Sequence, residues 1–139
     1  MTIKVKLDEG AFAPVSAHKA DAGYDLRTPT DVYIHNGCSE VIDTGVHIAI
    51  PEGYVGFLKS KSGLNVRDHL TGEGVIDSGY TGSIQVKLYN NGTYGGKQFH
   101  RGDKIIQIVL LPILKPDIEI VDSLEETERG DNGFGSTGR

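Results

Sequence analysis

The sequence predicts an all-β protein built as a jelly roll or distorted β-barrel. Three observations lead to that expectation. Apolar residues alternate with polar ones in short runs, the period of a half-buried strand, and no window of a dozen residues keeps a helical period. Turn signals separate the runs, among them HNG, PEG, DSG, NNG and RGD. Glycine supplies 19 of the 139 residues, well above its usual share, which suits many tight turns. Many short strands joined by such turns pack as a sandwich, barrel or jelly roll.

The elements follow in chain order. IKVKL (3–7), DVYIH (31–35), VHIAI (46–50), YVGFL (54–58), SIQVKLY (83–89) and IEIV (118–121) each alternate and are expected as strands. KIIQIVLLPIL (104–114) is denser and is expected as a strand buried on both faces. The stretch just after Ser62 is the best helix candidate, and a short one. GVIDSGYTG (74–82), with DSG in its middle, reads as a β-hairpin. Residues 1–122 read as the folded body and residues 123–139 as an arm. Jelly-roll edges must be covered. An arm can cover a neighbour's edge, so an oligomer is expected.

A chain of 139 residues fits one domain and buries a core without staples. The net charge of −5 disfavours a nucleic-acid partner. A small anionic ligand would need local cations, backbone N–H groups or a metal ion. The single cysteine, Cys38, precludes an internal disulfide. His18, His35, His47, His69 and His100 lie in neither HxxxH nor HExxH spacing, so a metal cage built from protein ligands is not expected. No apolar run reaches bilayer length and no leader is evident, so the reading is a soluble cytoplasmic protein without a membrane partner.

Five segments stand out as carriers of chemistry: AGYDL (22–26), KSKSGL (59–64), GVIDSGYTG (74–82), RGDKIIQ (101–107) and RGDNGFGSTG (129–138). Asp77 reads either as a turn residue bonding its own backbone or as a general base fixed on a rigid hairpin. Tyr80 reads as a half-buried strand aromatic or as a flat wall beside that base. KSKSGL reads as a solvated loop or, with a helix behind it, as an anion site. It is not a Walker A loop. Asp25 follows a buried-looking Tyr24 and reads alone as a turn or cap residue. Gln107 is a polar residue within an apolar run and needs a partner if buried. In the last segment Arg129, Ser136 and Thr137 suit phosphate, Phe134 suits stacking on a base, and the glycines suit a lid.

In this order and spacing the five segments resemble the five motifs of the homotrimeric dUTPase family, the dUTP pyrophosphatases, over residues 22–138. The resemblance implies a jelly-roll subunit, a homotrimer with sites at subunit interfaces, and Mg²⁺-dependent hydrolysis of dUTP to dUMP and pyrophosphate. That reaction keeps uracil out of DNA and supplies dUMP for thymidylate synthesis. Asp77 matches the carboxylate that activates water for attack on the α-phosphorus. Tyr80 matches the ring against deoxyribose that leaves no room for a 2′-hydroxyl. Gly74, Ile76 and Gly82 match the backbone that reads uracil. Lys61, Ser62 and Gly63 match the phosphate loop. Asp25 and Gln107 match residues that hold the metal's waters, the metal itself resting mainly on phosphate oxygens. Arg129, Phe134, Gly135, Ser136 and Thr137 match the arm that closes over the nucleotide.

The chain departs from the family pattern at Lys61, where arginine is usual, so phosphate contact loses a planar fork. It departs again at Lys104, also commonly arginine, which is expected to face away from the chemistry. The alternatives weighed are a dCTP deaminase of the same fold and a nucleotide-switched protein-binding module. The first would place a catalytic Glu in the strand after the hairpin, where SIQVKLYN has no carboxylate. The reading leaves room for a regulatory protein partner of an active enzyme.

Overall fold

The computed structural model describes residues 1–135, 137 and 138. Among them it forms strands β1 (Lys4–Leu7), β2 (Tyr24–Arg27), β3 (Val32–Ile34), β4 (Ser39–Asp43), β5 (Val46–Ala49) and β6 (Tyr54–Lys59). Helix α1 (Ser62–Asp68) comes next, followed by β7 (Leu70–Thr71), β8 (Glu73–Ile76), β9 (Gln85–Asn90), β10 (Lys97–Phe99) and β11 (Lys104–Pro112). The fold is the predicted all-β jelly roll. Every strand pairing is antiparallel. The largest sheet runs β2-β11-β6-β8 and the next β4-β9-β7, with two-stranded ribbons β1-β5 and β10-β3.

Alternation places the apolar side chains inward. In β9, Val86 and Leu88 are buried while Gln85, Lys87 and Tyr89 are exposed. Leu26, Ile34, Ile42, Val46, Ile84, Phe99, Ile106 and Ile108 meet in one core with their neighbours. β11 lies between β2 and β6, but the expected burial on both faces holds only near Ile105 and Ile106: the strand ends at Pro112, and Leu111, Ile113 and Leu114 are exposed. Ser60 and Lys61 interrupt the strand pattern after β6, and a short helix follows. It ends at His69, whose φ of 58° is left-handed and whose N–H reaches the Leu64 carbonyl.

Three further expectations need correction. Residues 74–82 are not a hairpin: β8 pairs with β6, while β9 pairs with β4 and β7, so the segment crosses between sheets. A two-residue turn signal fixes a local reversal but not which strands pair. Residues 118–121 form no strand; Ile118 and Ile120 are exposed, because alternation needs a partner edge that the described chain does not supply. Tyr24 is exposed rather than buried, since the inward positions of β2 are Asp25 and Leu26.

Gly56 lies where β6 crosses the core. A Cβ built there would meet Ile50 Cδ1 at 2.8 Å and Ile108 Cδ1 at 2.9 Å. Gly56→Val is expected to destabilise the fold by about 1–3 kcal/mol, read as a lower urea midpoint with unchanged slope.

Candidate active site

Four of the five segments singled out by the sequence fall into two groups that stand at opposite ends of β6. The first group surrounds the loop that leaves β6. Asp25 sits on β2, opposite Gln107 of β11. Its N–H donates to the Val15 carbonyl at 2.6 Å and its carbonyl accepts from the Val15 N–H at 3.2 Å. Its side chain is only 11% exposed. One carboxylate oxygen takes the Lys61 ammonium in a close ion pair and the other takes Lys104 Nζ at 3.1 Å. Gln107 Nε2 donates to the Ser60 carbonyl at 3.2 Å. Ser60 Oγ donates to the Gly72 carbonyl and accepts from the Gly72 N–H at 3.0 Å. The loop is thus tied to β2, to β11 and to the link between β7 and β8. Ser62 and Gly63 at its tip are exposed, and no side chain caps the first turn of α1.

Lys104 does not face away from this group, as expected, but into it. The β2–β11 register shifts between Lys104 and Ile106. The extra residue restores Lys104 to the face that carries Asp25 and Gln107. Burial pushes the Asp25 carboxyl up, but the hydrogen bonds and charges of Lys61 and Lys104 outweigh it and hold the group below its ordinary value.

The second group is the crossing from β8 to β9. Residues 77–80 form a turn closed by the Tyr80 N–H on the Asp77 carbonyl at 3.2 Å, with Gly79 at φ 86° in the third position. Backbone closes the turn, leaving the Asp77 carboxylate exposed. The Tyr80 hydroxyl donates to the Ser83 carbonyl at 2.9 Å, folding the ring across Gly82. A Cβ on Gly82 would lie 2.6 Å from Tyr80 Cζ, so only glycine admits this ring position. Ser83 Oγ donates to Asp43, and His47 Nδ1 meets the Thr81 carbonyl at 2.7 Å. The hydrogen bonds from Ser83 and the Gly45 N–H hold the Asp43 carboxyl below its ordinary value despite its partial burial. Gly74 and Ile76 lie on β8, the edge strand of its sheet, whose outer edge is paired with no other strand among the described residues.

The register Gly56↔Ile76 and Lys59↔Glu73 puts Asp77 at the start of β6 and Lys61 beyond its end. Five extended residues separate Gly56 from Lys61, about 16 Å. The chain therefore does not bring the two groups together by itself. Among the described residues, those of 123–139 join neither group. Leu114, Ile118, Ile120, Leu124 and Phe134 are exposed. Arg129 Nε donates to the Asn132 carbonyl at 2.7 Å, and Gly135 takes φ 97°. Thr137 is exposed, and Ser136 lies outside the described residues.

Among the described residues no cluster of three His, Cys, Asp or Glu exists to grip a metal ion. Asp25 and Gln107 fit a metal only through its water shell, because both Asp25 oxygens already bind ammonium groups. Sequence reasoning missed Ser60, Gly72, Asp43 and His47. Each acts through a pairing between segments distant in the chain, which no local motif signals.

The family model described as dUTPase matches residues 10–138. The deoxyuridine 5′-triphosphate nucleotidohydrolase of Tropheryma whipplei (strain Twist) is 39% identical over all of this chain and 97% of its own. That of Rattus norvegicus is 41% identical over 97% of this chain and 66% of its own. The dUTPase of Staphylococcus bacteriophage 80alpha, solved with dUPNHPP, superposes with a TM-score of 0.93 at 34% identity, covering 99% of both chains. The fold and these relatives define a nucleotide hydrolase of the jelly-roll class. The chain belongs to the dUTPase family, the enzymes that hydrolyse dUTP.

The Asp25 pair makes a signed pH prediction. A carboxyl whose folded pKa is depressed contributes stability above its unfolded pKa of about 3.9, and loses it as pH falls through the folded value. Asp25→Asn is expected to cost about 1–3 kcal/mol at neutral pH, with the gap from wild type closing below pH ~4. Urea unfolding across acid pH checks this.

Proposed function

We propose that the chain converts dUTP and water to dUMP and pyrophosphate through Asp77, acting as general base. The observation that carries this reading is the Asp77 turn, whose backbone is closed on itself and whose descending limb is clamped to β4 and β5. Its carboxylate stays open. A base needs fixed geometry and an accessible lone pair, and the turn has both. The carboxylate takes a proton from water, whose oxygen attacks the α-phosphorus. The bond from that phosphorus to the bridging oxygen breaks, and pyrophosphate leaves.

Uracil is read by the free edge of β8 around Gly74 and Ile76 and by Gly82. Its acceptor–donor–acceptor edge suits backbone C=O and N–H groups, and a buried mismatch there rejects cytosine strongly. The Tyr80 ring stands against deoxyribose. Lys61, Ser62 and Gly63 receive the phosphates, with Lys61 and Lys104 preorganised by Asp25. Mg²⁺ supplies charge neutralisation on the phosphate oxygens; Asp25 and Gln107 would orient its waters. A staphylococcal phage relative, from phi11, is described with a structural Mg(II) ion, which supports metal use without fixing its place here.

The separation of the two groups along β6 supports a site shared between copies, in a homotrimer with three interface sites. The exposed apolar stripe of residues 114–124 supports the same assembly. Residues 123–139 form the arm that closes the site, with Phe134 over uracil and Arg129, Gly135, Ser136 and Thr137 around the triphosphate. Keeping uracil out of DNA and supplying dUMP follow from this reaction, in the cytoplasm. The deaminase alternative finds no support in β9, where Gln85, Lys87 and Tyr89 occupy the exposed positions.

With dUTP, UTP, dTTP and dCTP supplied in turn, pyrophosphate is expected from dUTP alone and ammonia from none. Asp77→Asn is expected to lose at least a thousandfold in kcat, within the range for removed proton-transfer groups acting with others, while dUTP affinity stays within a few-fold. Loss of affinity and folding together would make Asp77 structural.

A further inference from the structure

The limb that carries Tyr80 down to β9 rests on a histidine–carboxylate pair that the proposed reaction does not use. His47 lies on β5, and its side chain is 17% exposed. Nδ1 faces the Thr81 carbonyl at 2.7 Å and Nε2 faces Asp8 Oδ1 at 3.0 Å. Asp8 is itself placed: its N–H donates to the Gly45 carbonyl at 2.9 Å and its carbonyl accepts from the Ala11 N–H. Both ring nitrogens therefore meet fixed acceptors. Only the imidazolium satisfies both, because a neutral ring has a single N–H. Either neutral tautomer turns a lone pair toward an oxygen.

The charged groups facing the ring come from several elements. Asp8 follows β1, Lys6 is the cross-strand partner of His47 on β1, and Asp43 ends β4. The Thr81 carbonyl and the Asp8 carboxylate favour the charged ring more than burial and Lys6 oppose it, so the imidazole is held above its ordinary pKa.

We propose that His47, oriented by Asp8, is a positioning residue for the dUTP site, locking the Tyr80–Gly82 limb in its charged form and releasing it when the ring loses its proton. Thr81 lies between Tyr80, whose ring covers Gly82, and Ser83, whose carbonyl holds the Tyr80 hydroxyl. A shift of the Thr81 carbonyl moves both. The lock is complete below the unfolded histidine pKa of about 6.5 and fades as pH rises through the higher folded value. The effect on substrate choice rests on the reading of Tyr80 as the wall against deoxyribose.

The test measures kcat/KM for dUTP and UTP in the full chain, from about pH 6 to 9. Taking their ratio cancels the titration of the general base. Amide exchange at residues 80–83 is followed in parallel. His47→Ala is expected to lower the dUTP preference roughly tenfold, the loss of about one charge-assisted hydrogen bond, and to remove the pH dependence of the ratio. Asp8→Asn, an exposed change that spares folding, is expected to move that dependence to lower pH. Both variants should speed exchange at residues 80–83. Tyr80→Ala separates the two readings. If it abolishes the preference while both His47 and Asp8 variants behave as wild type, the His47 proposal is overturned. If Tyr80→Ala leaves the preference intact, the Tyr80 reading fails, and exchange decides alone: unchanged protection in His47→Ala overturns the proposal, and faster exchange upholds it.

Discussion

Asp25 organises the lysine-bearing end of this protein. One carboxylate, nearly out of solvent, takes a lysine from the loop after β6 and another from the start of β11. Its backbone is tied to Val15 on one side and β11 on the other. The two ion pairs join three separate segments, and Gln107 adds a third link through Ser60. A partly buried ion pair gains little net stability by itself, because desolvation offsets attraction. Its value here lies in position. Two long, entropically costly side chains are held near where triphosphate charge would collect, so binding does not have to order them.

The opposite end of β6 works by different physics. There the turn at Asp77 is fixed by backbone closure, the ring of Tyr80 by the missing Cβ of Gly82, and the limb beyond by Asp43 and His47. One end is organised by charge, the other by shape. Their separation along a single strand is the structural reason for reading the working enzyme as an assembly of copies rather than a lone chain.

Much of this was legible in the sequence, where period-two patterning located most strands and the burial of β9. Motif chemistry picked out Asp25, Lys61, Asp77, Tyr80 and Gln107. What escaped was pairing. The bulge before Ile106 reverses the parity of Lys104, and no residue-level signal announces a bulge without glycine. DSG looked like a hairpin because turn chemistry is local, while the choice of sheet is made by distant strands. IEIV alternates as a strand should, yet stays exposed, because periodicity describes a surface that needs a partner and not the partner. His47 was one scattered histidine among five until β5 and residue 81 were brought together.

The most direct test of the shared site is complementation between two inactive chains. One carries Asp77→Asn with an intact phosphate cluster; the other carries Asp25→Ala with Lys61→Ala and an intact Asp77 turn. Each alone is expected to be inactive on dUTP. Co-assembled from a denatured mixture, they should recover activity, because some sites then combine an intact turn from one chain with an intact cluster from another. A mixture that forms mixed oligomers by mass yet stays inactive would contradict the account, and so would full activity in a monomer.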